Sequence, residues 1–189
     1  IGGKRTGSKN YMYIGGVSAT MAAKNISGCQ NYGNITCSMT SISNETHQIA
    51  GIGCTNAAAE TKSVQNCTNN GKIEVSESAS ITSDNALLVY GVAKLSHYVT
   101  TVSNLCNKGD ITVNGTLKCK LTVGGVANEP DNDKSTYSGE LTNSGDITVG
   151  ATCSGEASIG GIFGKHTNPN DKSFTWSGGL TLNSSGIIN

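Results

Sequence analysis

The chain has 189 residues and zero formal net charge, with 13 Lys and Arg against 13 Asp and Glu. Gly, Ser, Thr and Asn dominate it, at 25, 22, 21 and 20 residues, while only 14% of residues are charged and 5% aromatic. Helix-forming residues are scarce, which excludes an ordinary helical domain. A single arginine, Arg5, and balanced charge exclude the basic surface that nucleic acid requires. No stretch approaches the roughly 20 apolar residues of a membrane span, so none is predicted in this segment.

One phrase recurs along the chain. It reads "GCQNYGNIT" at residues 28–36, "NCTNNGKIEV" from Asn66, "LCNKGDITV" from Leu105, "LTNSGDITV" from Leu141 and "LNSSGII" from Leu182. Its glycine recurs after 38, 38, 36 and 41 residues, at Gly33, Gly71, Gly109, Gly145 and Gly186. Two residues later stand Ile35, Ile73, Ile111, Ile147 and Ile188. Two residues earlier stand Asn31, Asn69, Asn107 and Asn143, with Ser184 in the last copy.

A second glycine column lies about half a repeat away. It reads "IGGV", "IAGI", "VYGV", "VGGV" and "IGGI", with its third residue at Gly16, Gly51, Gly91, Gly125 and Gly161. A repeat of this size is the signature of a solenoid or a propeller.

Within each copy the apolar residues alternate with polar ones. In "GDITVNG", Ile111 and Val113 point to one side and Thr112 to the other, which is the pattern of a strand. Sharp Asn-x-Gly turns separate the strands. The sequence therefore predicts an all-β protein, a right-handed parallel β-helix with a repeat of about 38 residues.

This β-helix is expected to form a single domain over residues 1–189, as a segment of a longer surface protein. The isoleucine column should face inward, and the asparagine amides should stack and hydrogen-bond along the axis. Two coils of half the period each are the alternative geometry.

The motifs resemble the GLUG-type repeat over residues 12–188. "GGV" followed by "NISGCQNYGNIT", and "VQNCTNNGKIEV" after "GIG", are similar to that family's glycine pair followed by Cys, Asn, Gly and Ile or Val. The third to fifth copies depart from the pattern because Leu105, Leu141 and Leu182 replace the Cys. The resemblance implies a secreted or cell-surface bacterial protein, adhesin-like, as in Bacteroidetes. It carries no catalytic residues and no cofactor.

The predicted function is a non-enzymatic extracellular repeat domain that presents loops for a host glycan or surface protein. A β-helix polysaccharide lyase or glycoside hydrolase is the alternative, but such an enzyme needs clustered acids beside Lys or Arg. Here the acids are scattered, and Asp110 and Asp146 are interpreted as turn formers. We expect His47, His97 and His166 to be solvated loop residues.

The seven cysteines are an odd number without C-x-x-C spacing, so a zinc site is not predicted. Cys29 and Cys67 share a column and are expected to stack as small buried hydrophobes, with a disulfide between them as the alternative. The other five are interpreted as packing residues.

Two longer segments depart from the repeat. In "NEPDNDKS", Glu129, Asp131, Asn132 and Asp133 could offer oxygen ligands to Ca²⁺, but the run lacks the glycine and distal glutamate of an EF-hand loop. "KHTNPNDKSFTW" holds Phe174 and Trp176, which are expected to cap the solenoid or to present a stacking surface.

Recognition is expected on the segments between columns, which vary in length. These are residues 38–48, 55–63, 76–87, 94–101, 127–139 and 164–178. The last two begin at corresponding points, Ala127 and Gly164, so stacking should bring them out on one side. The predicted ligand contacts are Asp131, Asp133, Tyr137, His166, Phe174 and Trp176.

Overall fold

The computed structural model is all-β. It describes residues 12–39, 46–56, 60–77, 86–117, 119–128, 135–153, 155–164, 175–176 and 180–182, and no helix occurs within these ranges. The strands stack in parallel along four walls, as the sequence predicts for a β-solenoid.

Each wall is one sheet whose strands come from successive coils. The first sheet holds β1 (Met12–Gly15), β6 (His47–Ala50), β10 (Ala86–Tyr90), β14 (Lys120–Gly124) and β17 (Ala157–Gly160). The second holds β2 (Ser18–Met21), β7 (Gly53–Thr55) and β11 (Ala93–Lys94). The third holds β3 (Asn25–Ser27), β4 (Gln30–Asn31), β8 (Ser63–Asn69), β12 (Thr101–Asn107), β15 (Thr136–Asn143) and β18 (Thr175–Trp176). The fourth holds β5 (Ile35–Met39), β9 (Ile73–Glu77), β13 (Ile111–Leu117), β16 (Ile147–Cys153) and β19 (Leu180–Leu182).

The register gives one coil per repeat. Ile35 pairs with Ile73 and Ile73 with Ile111, so each residue lies beside its counterpart one full repeat away. Two coils per repeat would pair residues half a repeat apart, and that alternative is therefore wrong.

The isoleucine column faces inward as predicted. Ile73, Ile111 and Ile147 are fully buried and Ile35, in the first coil, is 8% exposed. The residues between them, such as Thr112, alternate to the outer face. Strand alternation thus supplies an apolar interior from a sequence that is mostly polar.

The asparagine column forms a ladder of amides inside the solenoid. Asn31 donates to Asn69 Oδ1 at 2.7 Å, Asn69 to Asn107 Oδ1 at 2.8 Å, and Asn107 to Asn143 Oδ1 at 2.7 Å. Each amide also donates to the carbonyl of the turn glycine two residues later, as Asn107 does to Gly109 at 2.7 Å. Burial of these polar groups is tolerated because they are hydrogen-bonded.

The second glycine column packs against this ladder. A Cβ atom on Gly51 would lie 2.4 Å from Asn69 Cγ, and one on Gly91 would lie 2.6 Å from Asn107 Cγ. The bend that joins the first and second sheets is therefore in contact with the corner that joins the third and fourth sheets. This contact separates two apolar clusters, one built mainly from the first and fourth sheets and one from the second and third.

The third sheet carries a column of left-handed residues that the repeat pattern does not predict. Gly28, Asn66, Asn104 and Gly139 have φ angles of 70°, 54°, 51° and 68°. Asn104 donates to Asn66 Oδ1 at 2.9 Å, so a second, exposed amide contact crosses the coils here. Gly and Asn tolerate this conformation better than other residues, which explains why these two residue types share one column.

His47 corrects one expectation. It lies in β6 and is only 4% exposed, with Met12 and Leu87 as its register neighbours. The prediction that His47 is a solvated loop residue is wrong. The polar residues around His47 indicate a loop, but the structure has a strand there. The strand begins at His47 itself, and inward alternation with Ile49 places the imidazole in the interior.

Candidate functional site

The segments that follow Ala93, Ala127 and Phe163, here called excursions, begin at stacked residues. After the second sheet, Ala93 bridges to Ala127, and Ala127 bridges to Phe163, each in parallel. The segments that begin after these residues therefore start one above the other. The sequence predicts Ala127 and Gly164 at corresponding points, whereas the structure pairs Ala127 with Phe163, one residue before Gly164. The common side of the long segments stays a prediction, because residues 129–134 and 165–174 lie outside the described residues.

The bases of the excursions are hydrogen-bonded to each other. Asn128 Nδ2 donates to the Leu95 carbonyl at 2.9 Å, and Ser135 Oγ donates to the Val99 carbonyl at 2.9 Å. The Thr136 N–H donates to the Thr100 carbonyl at 2.7 Å. Both ends of the segment from Asn128 to Ser135 are thus attached to the segment from 94 to 101.

An aromatic and cationic group lies on the outside of this region. The rings of His97 and Tyr98 are 4.1 Å apart, and Lys62 Nζ lies 5.2 Å from the centre of the Tyr98 ring. Lys62 and His97 are exposed and Tyr98 is half-buried. We call Lys62, His97, Tyr98, Asn128 and Ser135 the loop face.

The loop face is only partly predictable from the sequence. The expectation that His97 is solvated is confirmed by its exposure. Lys62 and Tyr98 are absent from the predicted contacts because they lie on different coils and share no motif. Their separation of 36 residues, close to one repeat, is the only signal in the sequence that brings them together.

Tyr137 is predicted as a ligand contact on a loop, and the structure places it elsewhere. It lies in β15 with 7% of its surface exposed, and its ring meets the Phe163 ring edge-on at a centroid distance of 5.7 Å. Tyr137 pairs in register with the buried Val102 and therefore faces inward. It belongs to a strand and not to a loop, because β15 begins earlier than the sequence indicates.

Most of the other predicted contacts fall outside the part of the chain that the structure describes. Asp131, Asp133, His166 and Phe174 are among these residues. Trp176 belongs to β18, where its backbone is the register partner of Asn143. The Ca²⁺ candidates Glu129, Asp131, Asn132 and Asp133 also lie outside, so calcium binding there stays a prediction.

The outer surfaces of the third and fourth sheets carry polar columns. On the third sheet, one column consists of Asn25, Ser63, Thr101 and Thr136. On the fourth sheet, one column consists of Thr36, Glu74, Thr112 and Thr148. Ser63 Oγ donates to Asn25 Oδ1 at 2.9 Å, and Ser38 lies 3.1 Å from Ser76, so adjacent coils are linked outside as well as inside.

The turn acids Asp110 and Asp146 make contacts that join neighbouring coils. The Asp146 N–H donates to Asp110 Oδ1 at 3.1 Å, and Lys72 Nζ lies 3.1 Å from Asp110 Oδ2. These two partners, the backbone N–H first and Lys72 second, hold the pKa of Asp110 below its ordinary value. Asp110 thus links neighbouring coils, and its predicted turn-forming role stays a prediction.

The cysteines are present as thiols in this structure. Cys37, Cys54, Cys67, Cys119 and Cys153 are buried, while Cys29 and Cys106 are half-buried. Burial raises the pKa of Cys54 to about 12 and that of Cys67 to about 11, which keeps both protonated at neutral pH.

The described residues form little else that could bind a small ligand. Within these ranges, no three His, Cys, Asp or Glu side chains lie close enough to hold a metal ion. A cleft of about 80 Å³ on the first coil is lined by Ile14, Asn31 and Ile35, among others, which is far smaller than a typical ligand pocket.

No helix in the described part of the chain is long and apolar enough to cross a membrane.

Comparison with known proteins identifies no relative. A scan against protein-family models finds no match, and neither the curated proteins nor the solved structures contain one. The resemblance to GLUG-type repeats and the bacterial surface origin that it implies stay predictions.

Proposed function

We propose that this chain is a non-enzymatic extracellular module, a rigid β-solenoid that presents loops to a glycan or a protein at the surface of a bacterial cell. The observation that carries the proposal is the loop face. The excursions begin at stacked positions on a wall whose coils are joined by hydrogen bonds inside and out.

The rigidity of the wall supports a presenting role. Loops held at both ends lose less freedom on binding than free ones, and a preorganised surface therefore binds with a smaller entropic penalty. Ser135 and Asn128 fix the ends of one excursion to its neighbour. The function of the internal residues is packing, which leaves recognition to the segments that do not repeat.

The chemistry of the loop face suits a neutral polar ligand such as a glycan. Tyr98 offers part of a ring for stacking, and Lys62 and His97 offer hydrogen-bond donors beside it. The polar columns of the third sheet continue from this face and add repeated hydroxyl and amide groups. The same groups could contact a protein, and the glycan test distinguishes the two kinds of ligand.

The test is binding of the full chain to a glycan array and to intact cells. We expect Tyr98→Ala to reduce binding roughly tenfold without loss of fold, since an aromatic contact of this kind contributes on the order of 1 kcal/mol or more. Tyr32→Ala is the matched control, because Tyr32 is 74% exposed on the first coil and lies outside the loop face.

Two outcomes contradict the proposal. The first is unchanged binding in Tyr98→Ala together with unchanged binding after the segments at 127–139 and 164–178 are shortened to the length of 94–101. This result would show that the loops are not the binding site. The second is release of soluble sugar from a polysaccharide by the purified chain. This result would support the alternative, a polysaccharide lyase or glycoside hydrolase.

A further inference from the structure

Cys29 and Cys67 are neighbours in the third sheet. Gln30 pairs with Thr68 in the register, and the Thr68 N–H donates to the Cys29 carbonyl at 2.9 Å, so Cys29 lies opposite Cys67. This register places the two cysteines side by side on successive coils.

The two side chains also point the same way. Cys29 Sγ lies 3.9 Å from the Ser27 carbonyl oxygen, and Cys67 Sγ lies 3.1 Å from the Gln65 carbonyl oxygen. Each thiol therefore donates to the carbonyl two residues before it. Matching orientations on neighbouring strands bring the sulfurs together, whereas opposite orientations would separate them.

The backbone spacing suits a covalent bond. Neighbouring strands lie about 4.8 Å apart, and disulfides bridge Cα atoms about 4.4 to 6.8 Å apart. Cys29 directly precedes β4, a strand of two residues, and follows Gly28, whose φ is 70°. This short edge strand provides room for the small shift that closing the bond needs.

We propose that Cys29 and Cys67 are an oxidisable pair that closes into a disulfide and locks the first coil to the second. The co-reactant is a small-molecule disulfide. The Cys29 thiolate attacks it and forms a mixed disulfide, with release of one small thiol. The Cys67 thiolate then attacks Cys29 Sγ and releases the second small thiol, so two protein thiols are oxidised and one external disulfide is reduced.

The exposures of the two residues set this order. Cys29 is half-buried and meets the external disulfide, whereas Cys67 is fully buried and reaches only Cys29. Burial raises the pKa of Cys67 to about 11, so the closing step is slow at neutral pH. The reaction is therefore followed for hours at about pH 8.5.

The pair is confined to the first two coils. In the next two coils the column holds Leu105 and Leu141, both buried and unable to cross-link. A bond between residues 38 apart, the separation of one repeat, restricts the unfolded chain and should stabilise the first coil. The inference does not depend on the proposed binding function.

The experiment incubates the full chain with oxidised glutathione, alkylates the remaining thiols and identifies linked peptides by mass spectrometry after proteolysis. We expect two of the seven cysteines to be protected, as a peptide joining Cys29 to Cys67, with a rise in the melting temperature of roughly 5 to 15 °C. Cys29→Ser and Cys67→Leu should abolish both effects. Cys106→Ser is the control, because Cys106 is half-buried between Thr68 and Thr142 and should change neither.

Three results overturn the proposal. They are full alkylation of all seven thiols, a stable glutathione adduct on Cys29 without closure, and a linked peptide that joins any other pair. Melting of the reduced variants verifies that Cys29→Ser and Cys67→Leu remain folded, so loss of the linked peptide reports the missing thiol.

Discussion

The Asn107 amide lies against the Cα of Gly91, and a Cβ atom added at Gly91 would lie 2.6 Å from Asn107 Cγ. The two residues belong to opposite corners of the same coil. Their contact couples the glycine column to the asparagine ladder, since only a residue without a side chain leaves space for the amide. The two most regular features of the sequence thus depend on each other.

Gly91→Ala should be strongly destabilising. The new Cβ would also lie 1.9 Å from the Gly125 carbonyl oxygen, which is backbone and cannot rotate away. We expect a loss of about 3 kcal/mol or more in the free energy of unfolding, measured by urea denaturation.

Gly33→Ala is its control. The nearest atom to its Cβ would be Asn31 Oδ1 at 3.6 Å, an ordinary contact, so stability should change by less than about 1 kcal/mol. Equal effects of the two substitutions would contradict the steric explanation.

Asn107→Leu should cost about 3 to 5 kcal/mol of folding free energy, because the substitution keeps the size of the side chain but leaves buried acceptors without their donor. These acceptors are the Gly109 carbonyl and Asn143 Oδ1. Asn31→Leu should cost less, because Asn31 is at the end of the ladder and contacts only one other member of it, Asn69. A larger effect at Asn31 than at Asn107, measured by urea denaturation, would argue against a cooperative ladder.

Ile111→Asp should unfold the protein. Ile111 is fully buried between Ile73 and Ile147, and an unpaired carboxylate there costs several kcal/mol, which is comparable with the total stability of a domain. Circular dichroism would show loss of the β signal. Thr148→Asp carries the same charge on the outer side of the same sheet and should remain folded.

Stability should fall slightly below about pH 4, in part through Asp110. The pKa of this carboxyl is lower in the folded state than its ordinary value near 3.8, because the Asp146 N–H and Lys72 favour the charged form. Its contribution is therefore present above that pH and is lost as the pH falls towards the folded pKa. Because the side chain is 41% exposed, solvent screening limits the effect to about a few tenths of a kcal/mol.

Asp110→Asn isolates this effect. The amide keeps an acceptor for the Asp146 N–H, as Asn34 does for the Lys72 N–H at 3.0 Å, and loses only the ion pair. Wild type and variant should differ at about pH 7 and low salt and converge in urea titrations as the pH falls through the lowered pKa of Asp110. A constant difference across this range would assign the destabilisation to the hydrogen bond.

The sequence alone determined the period, the strands and the inward isoleucine and asparagine columns. These follow from alternation along each strand and from identity between coils, and both are local or strictly periodic signals. Ile111 and Asn107 are assigned to the interior by the sequence itself, because their counterparts in neighbouring copies are the same residue.

Tertiary structure decided what the period leaves open. It gave one coil per repeat, placed Gly91 against Asn107, turned His47 and Tyr137 inward, and brought Lys62 beside Tyr98. Each of these depends on where a strand begins or on how opposite corners of the closed coil meet. The period determines which residues are equivalent between coils but not which parts of one coil meet, so only the closure of the chain into a coil determines these contacts.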